Sequence, residues 1–220
     1  MLDPALFPRP AELEPAIKFW TRVYTEVTTD SGYLHDPENL SIVYKSLNLR
    51  TQDLENERQR VQEILLELST GKRNPLSPEE TAILGLWPES VSNQTLRAAS
   101  DRIRWQRGQS DAFKDGLERS GAFRSYINDA AERSGVPPAI ALVPHLESSF
   151  NPRARSSASA VGLWQFTRST GQRFMRIDSI IDERMDPYIA SDAAMNLLTY
   201  HYRVLGTWPL ALTAYNQGVS

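Results

Sequence analysis

Residues 136–166, VPPAIALVPHLESSFNPRARSSASAVGLWQF, place an acidic side chain at the end of an apolar stripe. Ile140, Val143 and Glu147 are spaced i, i+3 and i+7, which puts them on one face of a helix that starts at one of the two prolines. Partial burial raises the pKa of a carboxylic acid, and an acid that stays protonated near neutral pH can donate a proton to a glycosidic or acyl oxygen. Glu147 is therefore a candidate general acid; the alternative is a helix-end glutamate that points into solvent.

The segment after Glu147 has no acidic residue between positions 148 and 177. It has five basic ones: Arg153, Arg155, Arg168, Arg173 and Arg176. Glycosidases ordinarily use two carboxylates about 5–10 Å apart. The next acids are Asp178, Asp182, Glu183 and Asp186, and their spacing around a proline is typical of turns and helix caps. A site with one carboxylate can still cleave a glycoside if the substrate supplies its own nucleophile.

The composition excludes several classes of function. A net charge of −3 gives no overall attraction to nucleic acid or anionic membranes, and the absence of cysteine excludes disulfides, zinc–thiolate sites and a thiol nucleophile. No apolar run is long enough to span a membrane. The first residues, MLDPALFPRP, lack the basic and apolar regions of a signal peptide, so we expect an exported form to carry a leader that precedes this numbering.

Apolar residues recur at helical spacing along most of the chain, which predicts a mainly α fold. The predicted helices lie near residues 12–27, 52–69, 78–87, 96–103, 113–117, 123–131, 167–174, 189–205 and 208–217. Ser77 and Glu80 have the spacing of a capping box that begins one of them. We expect β structure only within residues 28–49, as a short hairpin or an irregular loop.

Residues 102–109, RIRWQRGQ, combine three arginines with Trp105. Such a stretch could contact nucleic acid, but it is short, and Asp101, Asp111 and Asp115 lie beside it. We expect instead a helix whose arginines pair with those acids and whose tryptophan packs on the next domain. No nucleic-acid partner is predicted.

No metal or cofactor site is predicted. His35, His145 and His201 are isolated in sequence, so no metal-binding spacing such as HExxH occurs. His145 lies two residues from Glu147 and should face elsewhere on a helix. The chain also has neither a nucleophile elbow nor a glycine-rich phosphate loop.

Three motifs occur in order: ESSFNP at residues 147–152 with Ser156 shortly after, GLWQ at 162–165, and AYNQG at 214–218. Together they resemble the motifs of the SLT-domain lytic transglycosylases of the lysozyme-like superfamily, with most resemblance to the membrane-bound type D branch. The resemblance covers about residues 121–220, and the segment before it also resembles the one that precedes this domain in relatives. It implies a helical N-terminal extension at 1–120 and a mainly α, lysozyme-like domain at 121–220, truncated at its C-terminus relative to the family.

The resemblance implies an enzyme that cleaves the β-1,4 bond between N-acetylmuramic acid and N-acetylglucosamine in peptidoglycan and leaves 1,6-anhydromuramoyl ends. Glu147 would protonate the glycosidic oxygen and then accept the proton of the muramoyl C6 hydroxyl. The implied substrate-binding residues are Ser156, Gly162, Leu163, Gln165, Tyr215 and Asn216. A loop serine, a turn glycine, a core aromatic residue and a helix C-cap are the structural alternatives for Ser156, Gly162, Tyr215 and Asn216.

Two other functions stay open. One is a hydrolase of goose-lysozyme type, which would need a further carboxylate to position water; the other is a non-catalytic module that binds glycan strands. The arginines after Glu147 could contact the carboxylates of peptidoglycan stem peptides or form a solvated face. The resemblance also implies a periplasmic, outer-membrane-associated protein, with a lipoprotein tether or a cell-wall protein partner in its full-length form.

Overall fold

The computed structural model describes residues 3–219. They form two compact units: Pro10–Ala112, here called the N-terminal unit, and residues 3–9 with 113–219, here called the C-terminal unit. Helices dominate both, so the prediction of a mainly α fold is confirmed. The units divide at Ala112, whereas the domain boundary at residue 120 stays a prediction.

The N-terminal unit combines four helices with three short strands in the described residues. A 3-10 turn at Ala11–Leu13 leads into the first helix. The elements are α1 Glu14–Thr25, β1 Ser31–His35, β2 Val43–Asn48, α2 Leu54–Ser69, α3 Pro78–Leu84, α4 Asn93–Ser100 and β3 Arg104–Arg107.

Local sequence signals account for where these helices begin. Asp53 caps α2 by accepting a hydrogen bond of 3.0 Å from the Asn56 N–H. The predicted capping box of α3 is confirmed: Ser77 Oγ accepts from the Glu80 N–H at 3.2 Å, and Glu80 accepts from the Ser77 N–H at 2.7 Å.

The buried residues of α2 recur at helical spacing and therefore share one face of the helix. Leu65, one of them, is fully enclosed in the core of the unit.

The strands form an antiparallel sheet in the order β2-β1-β3, and β1 and β2 are the hairpin expected within residues 28–49. The helix expected over residues 102–109 is wrong, because Arg104–Arg107 pair with β1 as a third strand. Ile103 is buried, Arg104 is exposed and Trp105 is half-buried, which is the two-residue alternation of a strand. Trp105 packs on the core of its own unit, and its expected packing on the next domain stays a prediction.

The expected ion pairs of this stretch are not found in residues 3–219. Arg102 binds the fully buried carboxylate of Asp36, with guanidinium–oxygen distances of 2.8–3.0 Å, rather than any of the three flanking acids. Asp111, one of those acids, accepts hydrogen bonds from Thr29 instead. Arg102 therefore neutralises a buried charge in the N-terminal unit.

In the described residues of the C-terminal unit, the regular secondary structure is helical apart from isolated β-bridges. The helix α5 Ser110–Ser120 contains the division between the units. The others are α6 Arg124–Arg133, α7 Val143–Ser148, α8 Arg168–Gly171, α9 Pro187–Leu205 and α10 Trp208–Gln217, with 3-10 turns at Pro138–Leu142 and Glu183–Met185. The helix α8 ends at Gly171, three residues before its expected end.

Trp164 is fully buried at the centre of the C-terminal unit, in a core built from α6, α9, α10 and the loop before α8. Its indole N–H donates a hydrogen bond of 2.8 Å to Ser191 Oγ in α9, which satisfies the polar atom of a side chain that is otherwise apolar. The core thus fixes the loop that carries Trp164 against the long helix α9.

No helix within residues 3–219 is both long and apolar enough to cross a membrane.

Candidate active site

Glu147 lies in the last turn of α7, a helix of six residues. The single helix predicted from the prolines onward is divided in two, because a 3-10 turn at Pro138–Leu142 precedes α7 and Pro144 occupies the first turn of α7. The Glu147 side chain is half-buried. Burial raises the pKa of its carboxyl, and a smaller opposing effect comes from a hydrogen bond with the Asn216 side chain. Burial thus favours the protonated form of this carboxyl.

The backbone directly after Glu147 is strained. Ser149 and Phe150 both have positive φ, at 49° and 56°, a region that non-glycine residues rarely occupy. Among residues 3–219, all the non-glycine residues with positive φ fall between Ser149 and Gln165. Arg119 of α5 braces this end of α7 by donating to the Ser149 carbonyl at 2.9 Å. Strain held in place by neighbouring structure is typical of functional sites.

The loop of residues 151–166 returns to the end of α7. Ser148 Oγ donates to the Leu163 carbonyl at 2.7 Å, and the Gly162 N–H donates to the Ala154 carbonyl at 3.0 Å. The first of these hydrogen bonds joins the first motif to the second, and the other closes the loop between them. The sequence alone did not predict a role for Ser148 or Arg119, although Ser148 directly follows Glu147 in the first motif.

Ser156 lies exposed on this loop. Its hydroxyl oxygen accepts a hydrogen bond of 3.1 Å from the Ala160 N–H, and its own N–H donates to the Ala160 carbonyl at 2.9 Å. The hydroxyl proton is directed to no acceptor within residues 3–219. Ser156 therefore closes a turn and can still donate to a ligand, and within residues 3–219 no hydrogen bond joins it to Glu147.

Gly162 and Leu163 contribute to the shape of the loop through the backbone and the core. Gly162 has φ +84°, and a Cβ atom there would lie 1.9 Å from the Arg184 carbonyl oxygen. Leu163 is fully buried. The turn-glycine interpretation of Gly162 accounts for both its φ and its close packing, and both residues are buried.

Gln165 is half-buried with φ 51°, and its side-chain amide donates to two backbone carbonyls of the same loop. Nε2 lies 2.9 Å from the Gly162 oxygen and 3.4 Å from the Ala154 oxygen. The side-chain oxygen accepts from no residue within 3–219. Gln165 therefore braces the loop and leaves one acceptor available.

Tyr215 and Asn216 bring the third motif to the other two. Tyr215 Oη donates to the Trp164 carbonyl at 2.7 Å, and Asn216 is the exposed partner of the Glu147 carboxyl. Burial raises the pKa of the Tyr215 hydroxyl well above its ordinary value, and the charge of Glu147 raises it further. The hydroxyl consequently stays protonated, and α10 is fixed to the loop beside Glu147.

The acids that follow the loop are engaged by the chain itself. Each accepts a backbone or arginine hydrogen bond in a turn or at a helix start: Asp178, Asp182, Glu183 and Asp186. The prediction of turn and capping roles for them is confirmed. Asp182, for example, lies 2.6 Å from Arg184, and this partner lowers the pKa of its carboxyl. Within residues 3–219, no second carboxylate influences the pKa of Glu147.

A cavity of about 930 Å³ lies elsewhere in the C-terminal unit and is lined mainly by apolar side chains. His145 lines it and packs against the rings of Phe113 and Phe150, so it faces away from Glu147, as its spacing predicted. The cavity includes none of the predicted site residues. In residues 3–219, no cluster of three histidine or acidic side chains could hold a metal ion.

Comparison with known proteins matches residues 125–220 to the Transglycosylase SLT domain family. The membrane-bound lytic murein transglycosylase D of Escherichia coli K12 is 31% identical over 125 residues, which cover 54% of this chain and 28% of that protein. A protein of Alteromonas sp. strain M-1 named for tributyltin chloride resistance is 36% identical over 102 residues, covering 46% of this chain and 49% of that protein. The chain thus spans less than a third of the transglycosylase and about half of the second relative.

The matched residues include Glu147 and all the substrate-binding residues that the motifs implied. They also coincide with most of the C-terminal unit, whose helices enclose Trp164 and present Glu147 beside Asn216. Residues 125–220 of this chain are therefore similar to the Transglycosylase SLT domain, whose fold is lysozyme-like and mainly α.

Proposed function

We propose that this protein is a peptidoglycan lytic transglycosylase. It cleaves the β-1,4 bond between N-acetylmuramic acid and N-acetylglucosamine and leaves 1,6-anhydromuramoyl ends. The observation that carries this proposal is the desolvated Glu147 carboxyl beside Asn216, in a domain of the SLT family. The acids that follow it are engaged in turns and caps, which favours a reaction that needs one carboxylate.

In the first step Glu147 acts as general acid. Its raised pKa keeps the carboxyl protonated closer to neutral pH, so that it can transfer its proton to the glycosidic oxygen as the bond from the muramoyl C1 to that oxygen breaks. The N-acetylglucosamine unit leaves with a new hydroxyl group, and positive charge develops at the muramoyl C1. Glu147 is then ionised.

In the second step the same carboxylate acts as base. The C6 hydroxyl oxygen of the muramoyl residue bonds to C1, and its proton passes to Glu147, which restores the starting protonation state. No water is consumed and no second carboxylate is needed. A water-activating hydrolase would need another carboxylate on the opposite face of the sugar.

The neighbouring residues have supporting roles in this proposal. Tyr215 fixes α10 to the loop, and Asn216 limits the rise in the Glu147 pKa. Ser156 and Gln165 can use their remaining hydrogen-bonding atoms on the sugar, whereas Gly162 and Leu163 give the loop its shape. The polar loop residues thus bind the sugar, and Glu147 carries out the proton transfers.

The test is digestion of purified sacculi, with mass spectrometry of the released fragments. We expect anhydro-muropeptides from the wild-type protein, none from Glu147→Gln, and wild-type yield from Glu132→Gln, which alters an exposed glutamate of the same unit. Reducing ends would favour the hydrolase instead. Binding of sacculi without cleavage would favour the glycan-binding module, and cleavage by Glu147→Gln would refute the assigned acid.

We further propose that the protein acts in the periplasm on peptidoglycan strands, associated with the outer membrane through a tether or a cell-wall protein partner. The support is the family of residues 125–220 and a relative whose name describes it as membrane-bound. Fractionation of cells that produce the full-length protein tests this location. Recovery with the cytoplasmic fraction would contradict it.

A further inference from the structure

The five arginines between Glu147 and Asp178 differ in how the protein uses them. Three are engaged internally. Arg168 donates to a backbone carbonyl at 3.3 Å, Arg173 lies over two aromatic rings, and Arg176 lies 2.6 Å from the carboxylate of Asp178. Their positive charges or planar faces therefore contribute to the fold of the C-terminal unit.

The other two, Arg153 and Arg155, are exposed and have no carboxylate partner within residues 3–219. Arg155 approaches only the sulfur of Met185, at 3.4 Å, which does not neutralise its charge. The whole chain has a net charge of −3. The positive charges of these two arginines are nevertheless not neutralised by a carboxylate within residues 3–219. They can accept an anionic ligand without breaking an ion pair.

Both arginines are held on the loop that returns to Glu147. Arg153 donates its N–H to the Asn151 side chain at 2.9 Å, and Arg155 pairs with Val161 as an antiparallel bridge. The far end of the loop is bonded to Ser148 through the Leu163 carbonyl. Arg153 is six residues from Glu147, so its Cα lies within about 20 Å of the Glu147 Cα even for an extended chain.

We propose that Arg153 and Arg155 bind the carboxylates of the stem peptides that the muramoyl residues carry, so that peptide-bearing strands are preferred to naked glycan. This inference rests on the proposed function. A stem peptide of four or five residues spans up to about 15 Å, a length comparable with the largest possible distance from Glu147 to Arg153. The planar guanidinium group suits bidentate binding of a carboxylate.

The test compares sacculi with glycan strands from which an amidase has removed the peptides. The double variant Arg153→Gln/Arg155→Gln is matched by Lys114→Gln/Arg203→Gln, which removes two exposed positive charges from the same unit. For exposed ion pairs we expect the first variant to lose roughly fivefold to twentyfold in kcat/KM on sacculi and less than twofold on naked strands. The control should match the wild type on both.

Equal loss on both substrates, or no loss on sacculi, would overturn the proposal. Co-sedimentation in a Glu147→Gln background measures the same preference as binding, without turnover. If the wild-type protein cleaves neither substrate, the proposed function has failed. The arginine proposal then stands only if sacculi still bind more tightly than naked strands and the double variant removes that difference.

Discussion

The Tyr215 hydroxyl donates a hydrogen bond of 2.7 Å to the main-chain carbonyl of Trp164, and this contact joins the last helix to the loop after Glu147. Trp164 itself is immobilised by the core and by Ser191. Burial and the nearby charge of Glu147 both raise the pKa of the Tyr215 hydroxyl, which keeps it a donor. The position of Asn216, the next residue, thus depends on a hydrogen bond made by its neighbour.

Replacing Tyr215 by Phe removes this donor and leaves the Trp164 carbonyl unpaired. We expect a loss of about 1–2 kcal/mol in the free energy of unfolding, and a fall of about tenfold or more in transglycosylase kcat because α10 can shift relative to Glu147. Thermal unfolding and release of anhydro-muropeptides measure the two effects. Tyr202→Phe, which alters an exposed tyrosine of α9, is the matched control. Unchanged kcat in a destabilised Tyr215→Phe variant would limit Tyr215 to a structural role.

The pH dependence of activity should report the environment of Glu147. Burial raises the pKa of this acid, so kcat/KM should fall as the pH rises through that pKa and the proton donor is lost. The Asn216 hydrogen bond lowers the same pKa. Asn216→Ala should therefore move the alkaline limb of the profile to higher pH. A limb that stays in place or moves to lower pH would contradict the assignment of this pKa to Glu147.

The helices were largely predictable because their signals are local. The capping box of Ser77 and Glu80 and the apolar stripe of α2 involve residues within a few turns of each other. Strand β3 was mispredicted because its partner β1 lies about seventy residues away in sequence. The alternation of Ile103, Arg104 and Trp105 indicates a strand. The arginines of this stretch suggested instead a helix that pairs with the flanking acids.

The motifs identified Glu147 and its neighbours as a group, but not how they contact each other. The Gln165 amide binds backbone carbonyls of its own loop, and Ser148 bonds the Leu163 carbonyl. The backbone beside these contacts has positive φ values at Ser149 and Gln165, which neither residue type favours. Such a backbone is imposed by the surrounding packing and cannot be inferred from local propensity.

Glu147 should also destabilise the fold when it is ionised. Since its pKa is higher in the folded state than in the unfolded chain, its contribution to stability is fully present below the unfolded-state pKa and is lost as the pH rises through the folded-state value. We expect Glu147→Gln to unfold at a higher temperature than the wild type near pH 8, with the difference shrinking toward pH 4. Calorimetry across this range measures it. A difference that grows toward acid pH would have the wrong sign for a desolvated carboxyl.

The loop that carries Gln165 should tolerate no side chain at position 162. Alanine there would combine φ +84° with a Cβ that lies 1.9 Å from the Arg184 carbonyl oxygen, so the backbone itself must move. Gly135 is the matched control, because it has φ +65° but no atom within 4 Å of the added Cβ. We expect Gly135→Ala to cost about 1–2 kcal/mol of stability, the penalty of the left-handed conformation alone.

Gly162→Ala should cost clearly more than that, and it should lower the rate of cleavage as well, because the displaced loop no longer holds the end of α7 through the bond from Ser148 to Leu163. Chemical denaturation and sacculus digestion of the two variants, side by side, separate the clash from the backbone penalty. Equal losses of stability would mean that the 3-10 turn at Glu183–Met185 moves aside at little cost. Gly162 would then be required only for its φ, and not for the close packing of the loop.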